Sequence, residues 1–282
     1  MTRFLRMNGA GNAFIMIDAR GRSARLAPPR QAVAALAHAQ PFDQLLALED
    51  TGEADARLRV WNRDGGEVGA CVNGARAAAW LMFQDLSADR LTLASMGGLL
   101  SARRVGGDQA EVDLGPARLD WREIPLSRRM DTVRLDYGVD LPGGGRLDGP
   151  GAVSMGNPHC VFFVDDVESL PLEEIGPAVE RDALFPERVN AGFAQIRGPQ
   201  DIRLRVYERG AGLTKACGTG AAAALVAAHR QGRIGREAVI EADGGRLPVR
   251  WDADGHVHLS GPVELEGGYA PPEALLSAFD AG

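Results

Sequence analysis

From Leu58 to Val60 the apolar side chains recur with a period of two, as they do again from Leu204 to Val206. That spacing, with a β-branched residue in each pair, predicts a short strand at both places. A Gly-containing loop follows each one, and beyond it an Ala-rich run without proline predicts a helix. The likeness extends to the letters: LRVWNRDGGEVGACVNGARAAAWL (58–81) aligns without a gap on LRVYERGAGLTKACGTGAAAALVA (204–227), 146 positions on, with 11 of 24 residues identical. Elsewhere segments with helical period are few and the 36 glycines are spread widely, which predicts many short strands joined by Gly turns and only a few helices.

One identical position is a cysteine, Cys71 in the first copy and Cys217 in the second; the chain has three cysteines in all. Each falls at or just before a helix start, where free backbone N–H groups and the positive end of the helix dipole stabilise negative charge. Both thiols are therefore expected to ionise more readily than a free one. Other readings are packing, since free cysteine is among the most buried residue types, and an oxidised Cys71–Cys217 state. A structural disulfide is not expected from three cysteines in a chain without a secretory segment. Neither thiol has a second Cys or His two to four residues away, so the usual zinc spacing is absent and no metal is expected. The small residues after each thiol, Asn73-Gly74 and Gly218-Thr219-Gly220, suit close approach of a ligand to the backbone.

The repeat continues more faintly outside this window. Gln44 plus 146 is Asn190, and Gly11-Asn12 and Gly156-Asn157 lie 145 apart, each ahead of an apolar strand. At the strand ends stand two further polar pairs, Asn62-Arg63 and Glu208-Arg209. A lone Asn in a Gly turn is usually a turn former, but matched positions in both halves point to two polar rims around one pocket. Two thiols and two helix N-termini fit one kind of chemistry. To invert a carbon stereocentre by proton transfer, a base removes the proton from one face while an acid delivers one to the other. The helix N-termini hold the substrate carboxylate and offset the charge of the carbanion. No Schiff-base cofactor is required, and the chain has a single lysine, Lys215, and no nucleotide or pyridoxal phosphate cradle.

At 282 residues the chain exceeds the usual single core, and the 146-residue offset favours two similar domains. A net charge of −7 without a Lys/Arg run gives no electrostatic footprint for nucleic acid or an anionic membrane. No apolar stretch approaches the length of a membrane span. A cytoplasmic protein acting on a small molecule is the expectation.

Six segments carry a family resemblance: MNGAGNAFIMID (7–18), FDQLL (42–46), NRDGGEVGACVNGAR (62–76), GNPHCVFFVDDV (156–167), FPERVN (185–190) and ERGAGLTKACGTGA (208–221). Along nearly its whole length the chain resembles the diaminopimelate epimerases. The resemblance implies an α/β (α+β) fold of two pseudo-symmetric domains, each a curled, mostly antiparallel sheet around a central helix, with the active site in the cleft. It further implies a homodimer, no cofactor, and interconversion of LL- and meso-diaminopimelate for lysine and peptidoglycan precursor synthesis. By motif, Cys71 and Cys217 match the acid/base pair, and His159 and Glu208 match residues that tune them. Backbone N–H groups of Val72-Asn73 and Gly218-Thr219 match those that hold the α-carboxylate. Asn12, Gln44, Asn62, Asn157, Asn190, Glu208 and Arg209 match further substrate contacts, Arg209 being suited to a distal carboxylate. Five positions depart from the family pattern: Asn8 stands where His is usual, Ala13 where Asp is usual, Val72 where Gly is usual, Ala77 where Cys is common and Leu213 where Glu is common.

The expected division runs from Met1 to about Arg118 (1–118), then from about Leu119 to about Pro262 (119–262), with 263–282 returning to the first domain. The Gly/Pro-rich run 141–151 reads as a surface loop. Three readings stay open: this epimerase, a two-cysteine racemase of the same fold acting on a different amino acid, and a binding or redox-sensing protein whose thiols form a reversible disulfide.

Overall fold

The computed structural model describes residues 2–22, 25–69 and 71–271. The chain divides into two compact units, one with residues up to Asp113 and from Ser260 onward, the other Leu114–Leu259. The passages between them fall at 113/114 and 259/260, inside strands rather than in linkers, whereas the sequence reading sets them near Arg118 and Pro262.

The first unit runs β1 (Arg3–Gly9), β2 (Asn12–Asp18), α1 (Arg30–Ala39), β3 (Gln44–Glu49), β4 (Ala56–Asn62), β5 (Glu67–Val68), α2 (Val72–Asp85), β6 (Arg90–Ser95), β7 (Gly98–Gly106) and β8 (Gln109–Pro116). The second opens on a separate hairpin, β9 (Gly138–Asp140) and β10 (Arg146–Asp148). It continues with β11 (Gly151–Ser154), β12 (Pro158–Phe163), α3 (Leu172–Glu180), β13 (Asn190–Gly198), β14 (Asp201–Glu208), β15 (Gly212–Thr214), α4 (Gly218–Arg230), β16 (Glu237–Ala242), β17 (Gly245–Trp251) and β18 (His256–Pro262). Finally β19 (Glu264–Gly268) returns to pair with β1.

Many short strands and four helices among the described residues agree with the sequence expectation. From β1 to β8 and from β11 to β18 the order of elements is the same, so the repeat covers each unit far beyond its 24 best-matching residues. Within each unit most neighbouring strands are antiparallel, and two pairs are parallel: β2 with β3 and β4 with β6, then β12 with β13 and β14 with β16. Parallel neighbours need a crossover, which a helix usually supplies. Each of the four helices lies in one of these four crossovers.

The two helices of a unit cover opposite faces of its sheet. On one face of the first unit, Val33, Leu36 and Ala37 of α1 join Ile15, Ile17, Leu45, Ala47 and Trp61 in one core. The other face wraps α2, which touches β1, β2, β3, β4, β6 and β7. Strands covered on both faces carry apolar runs instead of alternation, as FIMI (14–17) and LLAL (45–48) do. In the second unit Cys160, Phe162, Ala191 and Phe193 pack with Ile175 and Val179 of α3, while α4 touches β11, β12, β13, β14, β16 and β17. From Gly220 to Ala228 every residue of α4 is buried. A helix apolar all round belongs inside, and alanine lets the strands approach it closely.

Two turns show the use of positive φ. Ala10 (φ 53°) and Gly11 (φ 81°) form a two-residue hairpin loop with both dihedrals positive, closing β1 on β2 so that Gly9 faces Asn12. Asn8 Oδ1 accepts the Gly11 N–H at 3.0 Å. The run 141–151, expected as a loop, supplies a turn and a strand instead. Gly143, Gly144 and Gly145 take positive φ, and Arg146 then starts β10, held by Asp140 at 2.7 Å and Asp148 at 2.8 Å.

Candidate active site

Cys71 and Cys217 are the capping residues of α2 and α4, both with extended backbone (φ −135° and −127°). In each, the thiol sulfur accepts the N–H three residues on, from Gly74 at 3.3 Å and from Gly220 at 3.4 Å. A helix leaves its first N–H groups without intrahelical partners. With the third taken by sulfur, the N–H groups of Val72 and Asn73 in one helix, and of Gly218 and Thr219 in the other, are those a helix start leaves without intrahelical partners.

Packing alone already favours glycine at two of these positions, Gly74 and Gly220. A Cβ on Gly74 would stand 2.9 Å from Leu46 Cδ2, and one on Gly220 would stand 3.0 Å from Val206 Cγ2 and 3.3 Å from Cys217 Sγ. Val72 is the first residue of α2. Helical backbone there is an ordinary conformation for a β-branched residue, so its departure from glycine imposes no backbone strain.

In the first unit the expected residues gather at the ends of neighbouring strands. Gln44 begins β3 opposite Asn62 at the end of β4, and its amide donates to Asn62 Oδ1 at 3.2 Å. Asn12 begins β2; its Oδ1 accepts from Asn73 Nδ2 at 2.6 Å, and its Nδ2 donates to Asp43 at 3.4 Å. The Asp43 carboxylate also accepts the Ala13 N–H at 2.9 Å. Asn73 is buried, so its side chain serves this network and leaves only its backbone N–H for a ligand. Arg76, one turn further along α2, is fully buried and donates to Asn73 Oδ1 at 2.9 Å.

In the second unit a hydrogen-bonded chain leads to the thiol. His159 Nε2 lies 3.1 Å from Asn157 Oδ1 and 3.1 Å from Thr219 Oγ1, and Thr219 Oγ1 lies 3.5 Å from Cys217 Sγ. Since the Asn157 oxygen only accepts, Nε2 carries the proton. The ring is fully buried with no partner on Nδ1 among the described residues, and burial, reinforced by the Arg209 charge, pushes His159 down to about 3. It is a neutral imidazole at ordinary pH. Asn157 Nδ2 also donates to Thr219 Oγ1 at 3.3 Å.

Asn190 pairs with His159 across β12 and β13; its amide donates to Pro158 O at 2.9 Å and its oxygen accepts the Arg209 N–H at 2.9 Å. Arg209 donates to Glu187 O at 2.9 Å, and Glu180 accepts the Gly210 N–H at 2.9 Å, which fixes the turn after β14. Glu208 accepts from Thr214 Oγ1 at 2.5 Å. Burial, and then the Glu208 carboxylate, push the Cys217 thiol well up. The expectation that a helix start makes this thiol easy to ionise is therefore corrected for Cys217. Its bonds from Thr219 and Gly220 favour the thiolate, but desolvation outweighs them.

All fourteen site residues expected from sequence thus fall into two clusters of one plan: Asn12, Gln44, Asn62, Cys71, Val72 and Asn73 in the first unit, and Asn157, His159, Asn190, Glu208, Arg209, Cys217, Gly218 and Thr219 in the second. Sequence reasoning missed Asp43 and Arg76. Asp43 adjoins Gln44 in the FDQLL motif, and Arg76 is a charge inside an Ala-rich helix. Either irregularity was a usable signal. Among the described residues no group of three or more His, Cys, Asp or Glu is placed to hold a metal ion.

Against solved structures the fold matches a phenazine biosynthesis protein of the PhzF family from Bacillus anthracis (TM-score 0.65, 13% identity, 95% of this chain and 98% of that one). It also matches a hydroxyproline epimerase from Agrobacterium vitis (TM-score 0.63, 15% identity, 95% and 90%). At such identities the likeness is one of fold. By sequence, the chain is 51% identical to a diaminopimelate epimerase of Phenylobacterium zucineum over 270 residues, 93% of this chain and 95% of that relative. It is 49% identical to that of Acidiphilium cryptum over 263 residues, 93% of each. The family model named diaminopimelate epimerase matches residues 4–119 and 151–266, one stretch for each half of the repeat. Sequence likeness of this extent, on a duplicated frame with one helix-capping thiol in each half, makes the chain a member of the diaminopimelate epimerase family.

Proposed function

We propose that the protein interconverts LL- and meso-diaminopimelate by proton transfer at Cα, with Cys71 and Cys217 as the acid/base pair and no cofactor. The observation that carries this reading is the matched pair of thiols, each capping a central helix and each accepting the N–H three residues on. One cysteine, as thiolate, takes the Cα proton while the other, as thiol, delivers its own to the opposite face. The product leaves with inverted configuration and the two roles exchanged. The α-carboxylate takes the free N–H groups of Val72, Asn73, Gly218 and Thr219, which also offset the carbanion's charge.

Asn12, Gln44, Asn62, Asn157, Asn190, Glu208 and Arg209 hold the remaining polar groups, Arg209 pairing with the distal carboxylate. Glu208 keeps Cys217 protonated before turnover, and His159 orients Thr219 against it. The setting is lysine and peptidoglycan precursor synthesis by a cytoplasmic homodimer. No described helix is long and apolar enough to cross a membrane. A different amino acid as substrate remains the second reading, motivated by Val72, Asn8 and Ala13.

The test is to incubate the reduced protein in D₂O with LL-diaminopimelate and follow the Cα proton by NMR, with a panel of other amino acids alongside. Exchange with diaminopimelate, lost in Cys217→Ala, is the expected result. Exchange with another amino acid alone transfers the assignment to a different racemase, and silence across the panel overturns it.

A further inference from the structure

Arg76 is the largest fully buried side chain of the molecule's described residues. Its guanidinium donates through Nη2 to Asn73 Oδ1 at 2.9 Å and through Nη1 to Pro262 O at 3.1 Å, and among the described residues its Nε has no partner. Among the described residues no carboxylate is found to act on it. The two influences on Arg76 are burial, which pushes it down to about 10, and the Cys71 sulfur, which pushes it up. A buried, charged and incompletely bonded arginine is costly. The equivalent place in the second unit, 146 residues on, is Ala222.

The geometry points to Arg76 as a positioning residue for the reaction at Cys71: it locks the Asn73 amide so that Asn73 must hold Asn12, and it places a buried positive charge near that thiol. The first part follows from donor and acceptor arithmetic. With Asn73 Oδ1 turned to the Arg76 guanidinium, which can only donate, the NH₂ group on the other side of the amide meets Asn12, whose Oδ1 accepts at 2.6 Å. Asn12 Nδ2 then points toward Asp43, and the residue that begins β2 has one orientation. The second part follows from reciprocity, since a thiolate that favours the cation is favoured by it to the same degree. The two units thus differ in sign, with a guanidinium for Cys71 and the Glu208 carboxylate for Cys217.

This proposal rests on the epimerase reading for its kinetic arm and stands apart from it in the other. Wild type, Arg76→Met and Arg76→Lys are compared for Cα exchange (kcat and KM), and for the iodoacetamide alkylation rates of Cys71 and Cys217 at pH 7, resolved by peptide mass. Methionine fills a buried arginine's volume and is expected to fold, because apolar replacement of buried charge is often neutral or stabilising. In Arg76→Met, Cys71 alkylation slows about tenfold while Cys217 changes less than about twofold, kcat falls, and KM rises about tenfold. Arg76→Lys keeps the charge without the fork, so it restores alkylation and kcat but leaves KM raised.

A folded Arg76→Met with wild-type alkylation and KM overturns the proposal, as does equal slowing of both thiols. Should Arg76→Met not fold, Arg76→Lys decides by KM alone. Wild-type protein without exchange overturns the proposed function instead, and the alkylation ratio then judges the hold of Arg76 on Cys71 by itself.

Discussion

Phe14 and His159 occupy the same place in the two halves. Phe14 pairs with Gln44 across the parallel strands β2 and β3, and His159 pairs with Asn190 across β12 and β13. Both side chains are buried, and the positions around them match: Asn12 with Asn157, Cys71 with Cys217, Asn62 with Glu208. Duplication supplied the frame, and the chemistry differs where an apolar ring was exchanged for an imidazole and an amide for a carboxylate.

The His159 ring is expected to make the stability of the second unit depend on pH. Its folded value of about 3 lies below the ordinary 6.5. Between those two pH values the unfolded chain binds a proton that the native ring refuses, so stability rises with pH through this window and is lost on acidification. Thermal melts of wild type are expected to fall steadily from pH 6.5 toward pH 4. In His159→Phe, which installs the residue of the first unit, that fall is shallower. Equal slopes would show that other groups govern it.

Replacing Glu208 removes the carboxylate that disfavours the Cys217 thiolate. In Glu208→Gln the thiol ionises at lower pH, so its alkylation curve shifts toward acid while Cα exchange weakens. Peptide-resolved labelling against pH checks both the direction and its confinement to Cys217.

The fold was legible where the chain repeats itself. Two cysteines 146 residues apart marked both helix starts; the same offset found the amides at Gln44 and Asn190, and an offset of 145 found those at Asn12 and Asn157. What stayed hidden has physical reasons. The passages between units run inside β8 and β18, and a strand that continues from one core to another shows no break in composition. The burial of Cys217 depends on the strands that wrap α4, which a local reading of a helix start cannot see, so its ionisation was misjudged. His159 was reached only through the family motif; it is buried in β12, and its link to the thiol runs through Thr219, 60 positions away.

Gly220→Ala places a methyl group 3.0 Å from Val206 and 3.3 Å from the Cys217 sulfur. Crowding of this kind costs about 1–3 kcal/mol, and here the sulfur is one of the atoms that must give. Chemical denaturation is expected to show that loss, together with a drop in Cα exchange larger than the loss of stability explains. Gly74→Ala, against Leu46 at 2.9 Å, behaves alike in the first unit.

Cys71→Ala and Cys217→Ala each remove one proton carrier from a reaction that needs two. Each is expected to lower interconversion by at least about a hundredfold while leaving the far-ultraviolet circular dichroism unchanged. A single variant that retains full turnover would mean that the remaining thiol works with another acid.

The third cysteine gives these measurements an internal clock. Cys160 lies in the core between β12, β13 and α3 with no exposure, and burial holds its thiol well up. Any label that reaches it records a moment when that core has opened. A single alkylation time course therefore reports the reactivity of the two helix-capping thiols and, at Cys160, how often the second unit breathes.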